Sequence, residues 1–313
     1  MTDIVGKRYL YFLISALVIG AGLVAMAISV ARFGTPLRLS IDFTGGTLME
    51  LAFERPVDPA GVRQVFASYG YGDTMVQPTL DESTVLIRSK ELQEGEKAQI
   101  QTELQSQFGP LTELRFDQVG PTVGQEVTRS AAIAIAAAAL VIMAFVVFAW
   151  REVPNAFRYG VCATAATVHD VLVTMGVFSI LGLLLGWEAD SLFLTAMLTV
   201  TGYSVQDSIV VFDRIRENVP RRRGEPYEVV VNRSLLETVH RSLATQLNAI
   251  FILIAILLFG GVTIRQFIAT LLIGLISGTY SSIFTAVPLL VVWEKGEIGC
   301  FFRRVLGRSR ATA

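Results

Sequence analysis

Asp207 is the residue of this chain best suited to chemistry, because it lies inside a long apolar run at 192–212. Its neighbours in this run include Val200 and Ile209. A carboxylate in hydrocarbon costs about 2.5 kcal/mol or more, so it is rarely there without a function. On a helix that rises about 1.5 Å per residue, Asp207 lies roughly 22 Å from Leu192, within a hydrocarbon core about 30 Å thick. This placement predicts an ion or proton pathway through Asp207.

Further polar residues extend this candidate site along the same segment. Tyr203 and Asp207 are four residues apart, so a helix would place them on one face, with Ser204 close by. Gln206 and Ser208 flank the acid. For these two residues, a structural hydrogen bond to a neighbouring helix explains the pattern as well as function does.

Arg241 is the expected partner of Asp207. It precedes the next apolar segment, 243–260, and elements adjacent in sequence tend to pack together. An arginine that snorkels to the membrane surface is the alternative, but Thr245 and Gln246 continue a polar face and favour a wet groove. A nearby guanidinium favours the carboxylate, and its withdrawal favours the neutral acid. Helix movement would then be coupled to proton uptake and release.

His169 and Asp170 form a second titratable pair, inside the apolar segment 157–185. Histidine titrates near neutral pH, so a proton relay is one interpretation. A polar pair that only packs helices together is the alternative, and for His169 it is the preferred one. Ser204 or Ser208 with His169 would also suit a hydrolytic dyad, although the spacing does not demand one.

The composition predicts an integral membrane protein with a modest soluble part. The chain has 313 residues, a mean hydropathy of +0.55, 52% hydrophobic and 17% charged residues. A net charge of −1 gives no nucleic-acid signature, and two cysteines and two histidines suggest neither a disulfide framework nor a metal site. Six apolar segments are long enough to cross a bilayer as helices: 9–31, 129–149, 157–185, 191–212, 243–260 and 265–293.

Lysine and arginine residues set the expected orientation, because they are concentrated in short loops on one side. The positive-inside rule then places both termini in the cytoplasm. The expected divisions are an N-terminus with the first transmembrane helix, an extracytoplasmic domain, a five-helix transmembrane bundle and a basic cytoplasmic tail: 1–36, 37–124, 125–295 and 296–313. Residues 226–242 are expected to form a surface helix along the inner leaflet.

The outer segment has the pattern of a small α+β domain. Strands are predicted at 47–53, 75–78, 84–88 and 114–119, and helices at 58–69 and 94–108. Their order, βαββαβ, predicts a ferredoxin-like fold between the first and second transmembrane helices. Gly45-Gly46 lacks the residues of a phosphate loop and is interpreted as a tight turn.

Several longer motifs, in the same order and topology, resemble the SecF family of protein-export membrane subunits. One span, an outer domain and five further spans also match half of a transporter of the resistance-nodulation-division superfamily. Asn232, Ser234 and Arg241 fit the family pattern before the fifth span. The motifs are LSIDFTGG at 39–46, VGPTVG at 119–124, HD at 169–170, GYSVQDSIVVFDRIREN at 202–218 and GTYSSIF at 278–284.

The resemblance implies a multi-pass protein of the bacterial plasma membrane that promotes protein translocation in the Sec pathway, driven by the proton-motive force. It implies SecD, the SecYEG channel, YajC and the translocating preprotein as partners, with no nucleic acid, no cofactor and no enzymatic activity. Asp207 and Arg241 would lie on the proton path, and SecD would supply a further carboxylate. Gln206 and Ser208 depart from the asparagine and threonine usual in the family, and His240 replaces a small or polar residue.

Two other functions fit the same residues. One is a half-transporter that exports lipids or small solutes, which a large apolar cleft in the outer domain would favour. The other is a non-catalytic assembly subunit, whose polar residues only hold helices together. Export measured after neutralisation of Asp207 discriminates the assembly role from a proton-driven one.

Overall fold

The computed structural model describes residues 3–79, 83–93, 95–149 and 156–296. The expected basic tail therefore lies outside the described residues, apart from its first position, and so do residues 150–155, between the second and third expected spans. The chain divides into two compact units, Leu39–Ile133 and the remainder. The expected boundaries of the outer domain were 37 and 124.

Helices dominate the described part of the chain, together with one four-stranded sheet. The helices are α1 (Arg8–Phe33), α2 (Ile41–Thr44), α3 (Pro59–Ser68), α4 (Glu96–Phe108), α5 (Pro121–Ala149), α6 (Ala156–Leu185), α7 (Ser191–Arg221), α8 (Tyr227–Phe259), α9 (Val262–Ser281) and α10 (Val287–Glu294). The strands are β1 (Gly46–Phe53), β2 (Met75–Pro78), β3 (Thr84–Ser89) and β4 (Leu111–Val119).

The sheet of the outer unit has the order β2-β3-β1-β4, and every pairing is antiparallel. Helices α3 and α4 supply the other half of its core. Asp58 caps α3 by accepting a hydrogen bond from the amide of Ala60 at 3.0 Å, and Pro59 occupies the first turn. The completely buried side chains of this core come from both layers and include Met49, Leu51, Val62, Val85, Ile100 and Leu104.

Two details of the outer unit differ from the sequence prediction. Strand β4 begins at Leu111 rather than three residues later, because its first residues pair with the end of β1. Helix α2 was not predicted; Ser40 initiates it by accepting a hydrogen bond from the amide of Asp42. Gly45 and Gly46 then turn the chain into β1 with φ of 73° and 122°, and a Cβ on Gly46 would lie 2.7 Å from the carbonyl oxygen of Ser89. The pair is a tight turn that glycine suits.

Leu104→Ala is predicted to destabilise the outer unit by about 2–5 kcal/mol, because it leaves a cavity in a completely buried position. Protease cleavage of the outer unit at increasing urea concentration, in the purified complex, measures this effect. Thr102→Ala is the matched control, since Thr102 is exposed on the same helix. Equal urea midpoints for Leu104→Ala and the unmodified protein would contradict the assignment of this core.

In the part of the chain that the structure describes, five helical segments are long and apolar enough to cross a membrane: Val5–Phe33, Pro121–Phe145, Phe157–Leu185, Tyr227–Phe259 and Ile264–Glu294. Helix α7 covers the expected segment 191–212 but is not among the five. Its 31 residues carry Asp207 and a charged C-terminal third, which lower its hydropathy. The prediction of a separate surface helix at 226–242 is wrong. Helix α8 runs without a break from Tyr227, because neither glycine nor proline interrupts it and Val231 and Leu235 are buried in the bundle core.

Glycines allow close helix contacts inside the bundle. A Cβ on Gly22 of α1 would lie 2.7 Å from the Cα of Gly176 on α6. A Cβ on Gly274 of α9 would lie 2.1 Å from a methyl group of Val200 on α7, and Gly278 lies against Ser204. The GxxxG pair at 274 and 278 therefore packs α9 against α7 within this chain.

The helix that begins with α9 changes register before it continues as α10. Residues Ser282–Ala286 form a π-helical segment. Pro288, in the first turn of α10, has no N–H to donate to the preceding turn, which accounts for the wider turn. Both flanks remain packed, because Ile283, Val287 and Leu290 belong to the bundle core.

Candidate functional site

Asp207 belongs to α7, is 5% exposed, and has its side chain at the contact with α8. The side-chain amide of Gln246 on α8 donates a hydrogen bond to Asp207 Oδ2 at 2.5 Å. The pairs Arg214–Glu237 and Asn218–Ser234 follow along the same two helices. Residue numbers rise on one helix while they fall on the other, so the helices are antiparallel and Gln246 stands at the level of Asp207.

Arg241 does not pair with Asp207, contrary to the sequence prediction. It precedes Gln246 by five residues, about 7.5 Å of helix rise. Arg241 is exposed and lines a cavity of about 530 Å³ near the end of α7, together with Asp213, Glu217 and Glu237. Sequence reasoning chose it for its charge, whereas the antiparallel register brings the neutral Gln246 to the acid.

The polar residues around Asp207 divide between two sides of α7. Ser204, Asp207 and Ser208 are buried, and the Ser208 hydroxyl lies 3.4 Å from the carbonyl oxygen of Ser204. Tyr203 is 46% exposed and Gln206 is also exposed, so neither shares the buried face of Asp207.

Asp170 is the most completely enclosed acid of the bundle, with an exposed fraction of 0%. Three serine hydroxyls donate to its carboxylate: Ser204 and Ser281 to Oδ2, both at 2.6 Å, and Ser277 to Oδ1 at 2.7 Å. His169 Nδ1 lies 3.0 Å from Oδ1. One carboxyl group thus connects α6 to α7 and to α9 through three hydrogen bonds.

The two serine donors on α9 were missed by sequence reasoning as parts of this site. Ser277 and Ser281 are four residues apart on the side of α9 that also carries Gly278. That spacing beside a close-packing glycine was an available signal of a polar contact within the bundle. It did not reveal which acid the two serines meet.

His169 makes its second contact with α1, since its Nε2 lies 3.0 Å from the hydroxyl of Ser15. The proposed dyad with Ser204 or Ser208 is not formed, because those hydroxyls point to Asp170 and to the α7 backbone. Ser15, His169 and Asp170 have the order of a hydrolytic triad. However, Ser15 lies inside α1, whose amides bond within the helix and leave no pair of donors for an oxyanion.

Two buried acids of the bundle therefore have different surroundings. Asp170 has four side-chain partners, whereas Asp207 has one amide donor. Ser204 bonds to Asp170 and lies three residues before Asp207 on α7, slightly less than one helical turn. Among the described residues, no group of three or more His, Cys, Asp or Glu side chains suits a metal ion.

Comparison with known proteins connects this chain to protein export. A profile of the protein export membrane protein SecD/SecF, C-terminal, matches residues 99–296, and a SecD/SecF GG motif matches residues 33–57. A protein of Anaerolinea thermophila named protein translocase subunit SecF is 48% identical over 97% of this chain and 98% of its own length. One of Thermobaculum terrenum with the same name is 47% identical over 100% of both chains.

Two solved structures of SecDF are also similar to this chain. SecDF from Thermus thermophilus, described as a translocon-associated membrane protein, is 30% identical with a TM-score of 0.79 over 94% of this chain. SecDF in a super-membrane-facing form is 29% identical with a TM-score of 0.65 over 97% of this chain. The present chain spans 39% and 40% of those two chains, respectively.

Proposed function

The chain belongs to the SecF family, and on this premise we propose that it is the SecF-type subunit of a SecDF complex that uses the proton-motive force to promote preprotein translocation through the Sec channel. The full-length match to proteins named as translocase subunits supports this role. The match to less than half of the SecDF chain supports SecD as the partner that completes the assembly. The SecYEG channel, YajC and the preprotein are its further partners.

The proposed membrane layout has six transmembrane helices, with α7 as the additional one. Its length of 31 residues is more than sufficient to cross a bilayer. Both termini lie in the cytoplasm of a bacterial plasma membrane, and residues 37–124 lie outside it. The strand order β2-β3-β1-β4 with two helices supports a ferredoxin-like fold for this outer domain.

Exposed polar side chains on the bundle support contact with SecD inside the membrane. Tyr203 and Gln206 on α7, and Asn248 on α8, are all exposed. In lipid, such groups need a partner, since no water is available to satisfy them. We therefore propose that this side of α7 and α8 faces SecD, whose own acid would complete the proton path.

Asp207 is the proposed site of proton exchange. The observation that carries this assignment is a carboxylate only 5% exposed on a helix of the membrane bundle, held by one neutral amide. Movement of α8 against α7 would exchange Gln246 for Arg241 as its neighbour, and the arriving cation would favour proton release. The proposed pathway comprises Asp207, Arg241, Asp170, His169, Tyr203, Gln206 and Ser208.

Loss of this subunit is predicted to slow export of a secreted reporter, and the defect is expected to shrink when a protonophore removes the proton-motive force from both strains. Pulse-chase labelling in depleted cells, with and without the plasmid-borne gene, measures it. Unchanged export with impaired efflux of a lipid or solute would instead favour the half-transporter. The filled core of the outer domain, where Leu51 and Ile100 are completely buried, argues against that alternative.

A further inference from the structure

The Asp170 cluster joins elements that are far apart in sequence. Its carboxylate belongs to α6, one donor belongs to α7, and two belong to α9. Gly278 lies at the same contact, where an added Cβ would be 3.6 Å from Asp170 Oδ2, an ordinary van der Waals distance. Asp170 has four side-chain partners, and two of them, Ser277 and Ser281, thus depend on the position of α9.

A segment with wider helical turns adjoins these two serines. The π-helical residues Ser282–Ala286 begin directly after Ser281. Thr238, Thr270 and Thr279 each donate a hydroxyl to the carbonyl four residues earlier in their helices. Thr285, inside the π segment, is 9% exposed and its hydroxyl has no hydrogen-bond partner in the described part of the chain. Return of this segment to α-helical register would satisfy Thr285 and displace α9 relative to α10.

The charge of Asp170 determines how firmly α9 is held. An ionised carboxylate accepts from all its neighbours at once, whereas a neutral acid must donate at one oxygen. If α9 withdraws, Asp170 keeps Ser204 and His169 as partners and loses its other two donors. Fewer donors stabilise the carboxylate less, so withdrawal of α9 favours proton binding, and proton binding favours withdrawal to the same extent.

We propose that Asp170 binds a second proton when α9 withdraws, so that its serine cluster is a charge-dependent latch with the segment Ser282–Ala286 as the hinge. This inference rests on the proposed proton-coupled function and adds a regulatory step to it. Asp207 is the proposed site of proton exchange at the α7–α8 contact, whereas Asp170 responds to its own proton and is joined to α7 by Ser204.

The other titratable groups near the latch are few. His169 precedes Asp170 on α6, and Tyr280 of α9 stacks on its ring at 6.1 Å while its hydroxyl donates to the carbonyl of Tyr11 on α1. Asp207 is the acid that α7 contributes. Within the described ranges, no lysine or arginine forms an ion pair with Asp170. The neutral and charged states of the cluster therefore differ mainly through Asp170 and His169.

Hydrogen exchange in the purified complex with the partner subunit tests the latch. Amides of residues 278–287 are followed at mildly alkaline and mildly acidic pH, with rates corrected for intrinsic chemistry. The unmodified protein is expected to lose protection there at acidic pH. Asp170→Asn is expected to show low protection at both pH values, because the neutral amide cannot recruit all three hydroxyls as donors.

Removal of the α9 donors supplies an independent variant. The Ser277→Ala, Ser281→Ala double variant is expected to lose protection by about tenfold or more, the effect of losing charge-assisted hydrogen bonds. Thr279→Ala is the matched control, because its hydroxyl bonds only within α9, and it is expected to behave as the unmodified protein. His169→Gln is expected to keep the pH response.

The Asp207→Asn variant separates the latch from the proposed function, since it is expected to keep the pH response of α9 while losing coupling to the proton-motive force. Three results would overturn the latch. The first is an unmodified protein without a pH response at 278–287. The second is an Asp170→Asn variant with the protection of the unmodified protein. The third is loss of the pH response in Asp207→Asn or in His169→Gln.

Discussion

An Asp207→Asn variant is expected to assemble normally and to lose the stimulation of export by the proton-motive force. Asparagine has the size of aspartate and can still bond to Gln246, so packing between α7 and α8 is retained. It cannot bind and release a proton. Each charge that crosses a potential of 100 mV contributes about 2.3 kcal/mol, a factor of roughly fifty in an equilibrium constant. Export should therefore fall to the rate of cells that lack the subunit.

Two control variants make this result specific. Asp213→Asn removes a carboxylate six residues further along α7, where the side chain is 65% exposed and paired with Arg216. It is expected to leave export nearly unchanged, because exposed ion pairs contribute little. Asp207→Glu retains the acid and should retain part of the activity. Stimulation by the proton-motive force that survives in Asp207→Asn at normal protein levels would favour the assembly role.

Gly274→Leu is expected to prevent stable assembly of the bundle. A Cβ at this position would already overlap a methyl group of Val200 at 2.1 Å, and the rest of leucine would have to enter α7. Overpacking by single methylene groups costs about 1–3 kcal/mol, and a whole isobutyl group between two helices costs more. The amount of the protein in membranes and its thermal inactivation measure the loss.

A smaller substitution and a compensating second substitution test whether overlap with Val200 causes the loss of stability. Gly274→Ala should also destabilise the bundle, and Val200→Ala in the same chain should recover much of that loss, since the two positions touch. Gly202→Ala on α7 is the control, because nothing lies within 4 Å of its added methyl group. Normal accumulation and thermal stability of Gly274→Leu would contradict the α7–α9 contact.

Much of the fold is readable from the sequence because it depends on local patterns. Asp58-Pro59 places the start of α3, and Gly109-Pro110 follows the end of α4. Apolar runs give five helices that meet the length and hydropathy of membrane spans. Helix α8 was divided incorrectly because its polar first half looked like a surface segment. Its burial depends on contacts with α7 and α10, and these contacts cannot be read from the sequence of α8 alone.

The site was only partly predictable for a related reason. An acid inside an apolar run can be recognised from the sequence alone, and both Asp207 and Asp170 were found in this way. Their partners depend on the register between helices. The antiparallel contact of α7 with α8 selects Gln246, and the glycine-mediated contact of α9 with α7 brings Ser281 to Asp170. Charge complementarity alone pointed to Arg241.

Proton flux through the reconstituted complex tests the assignment of Asp207 most directly. Vesicles that contain the complete complex and a pH-sensitive dye in their lumen are given a potassium diffusion potential, negative inside. The unmodified complex should acidify the lumen, whereas Asp207→Asn should match protein-free vesicles and Asp213→Asn should match the unmodified complex. Equal acidification by Asp207→Asn and the unmodified complex would show that protons cross without this carboxylate.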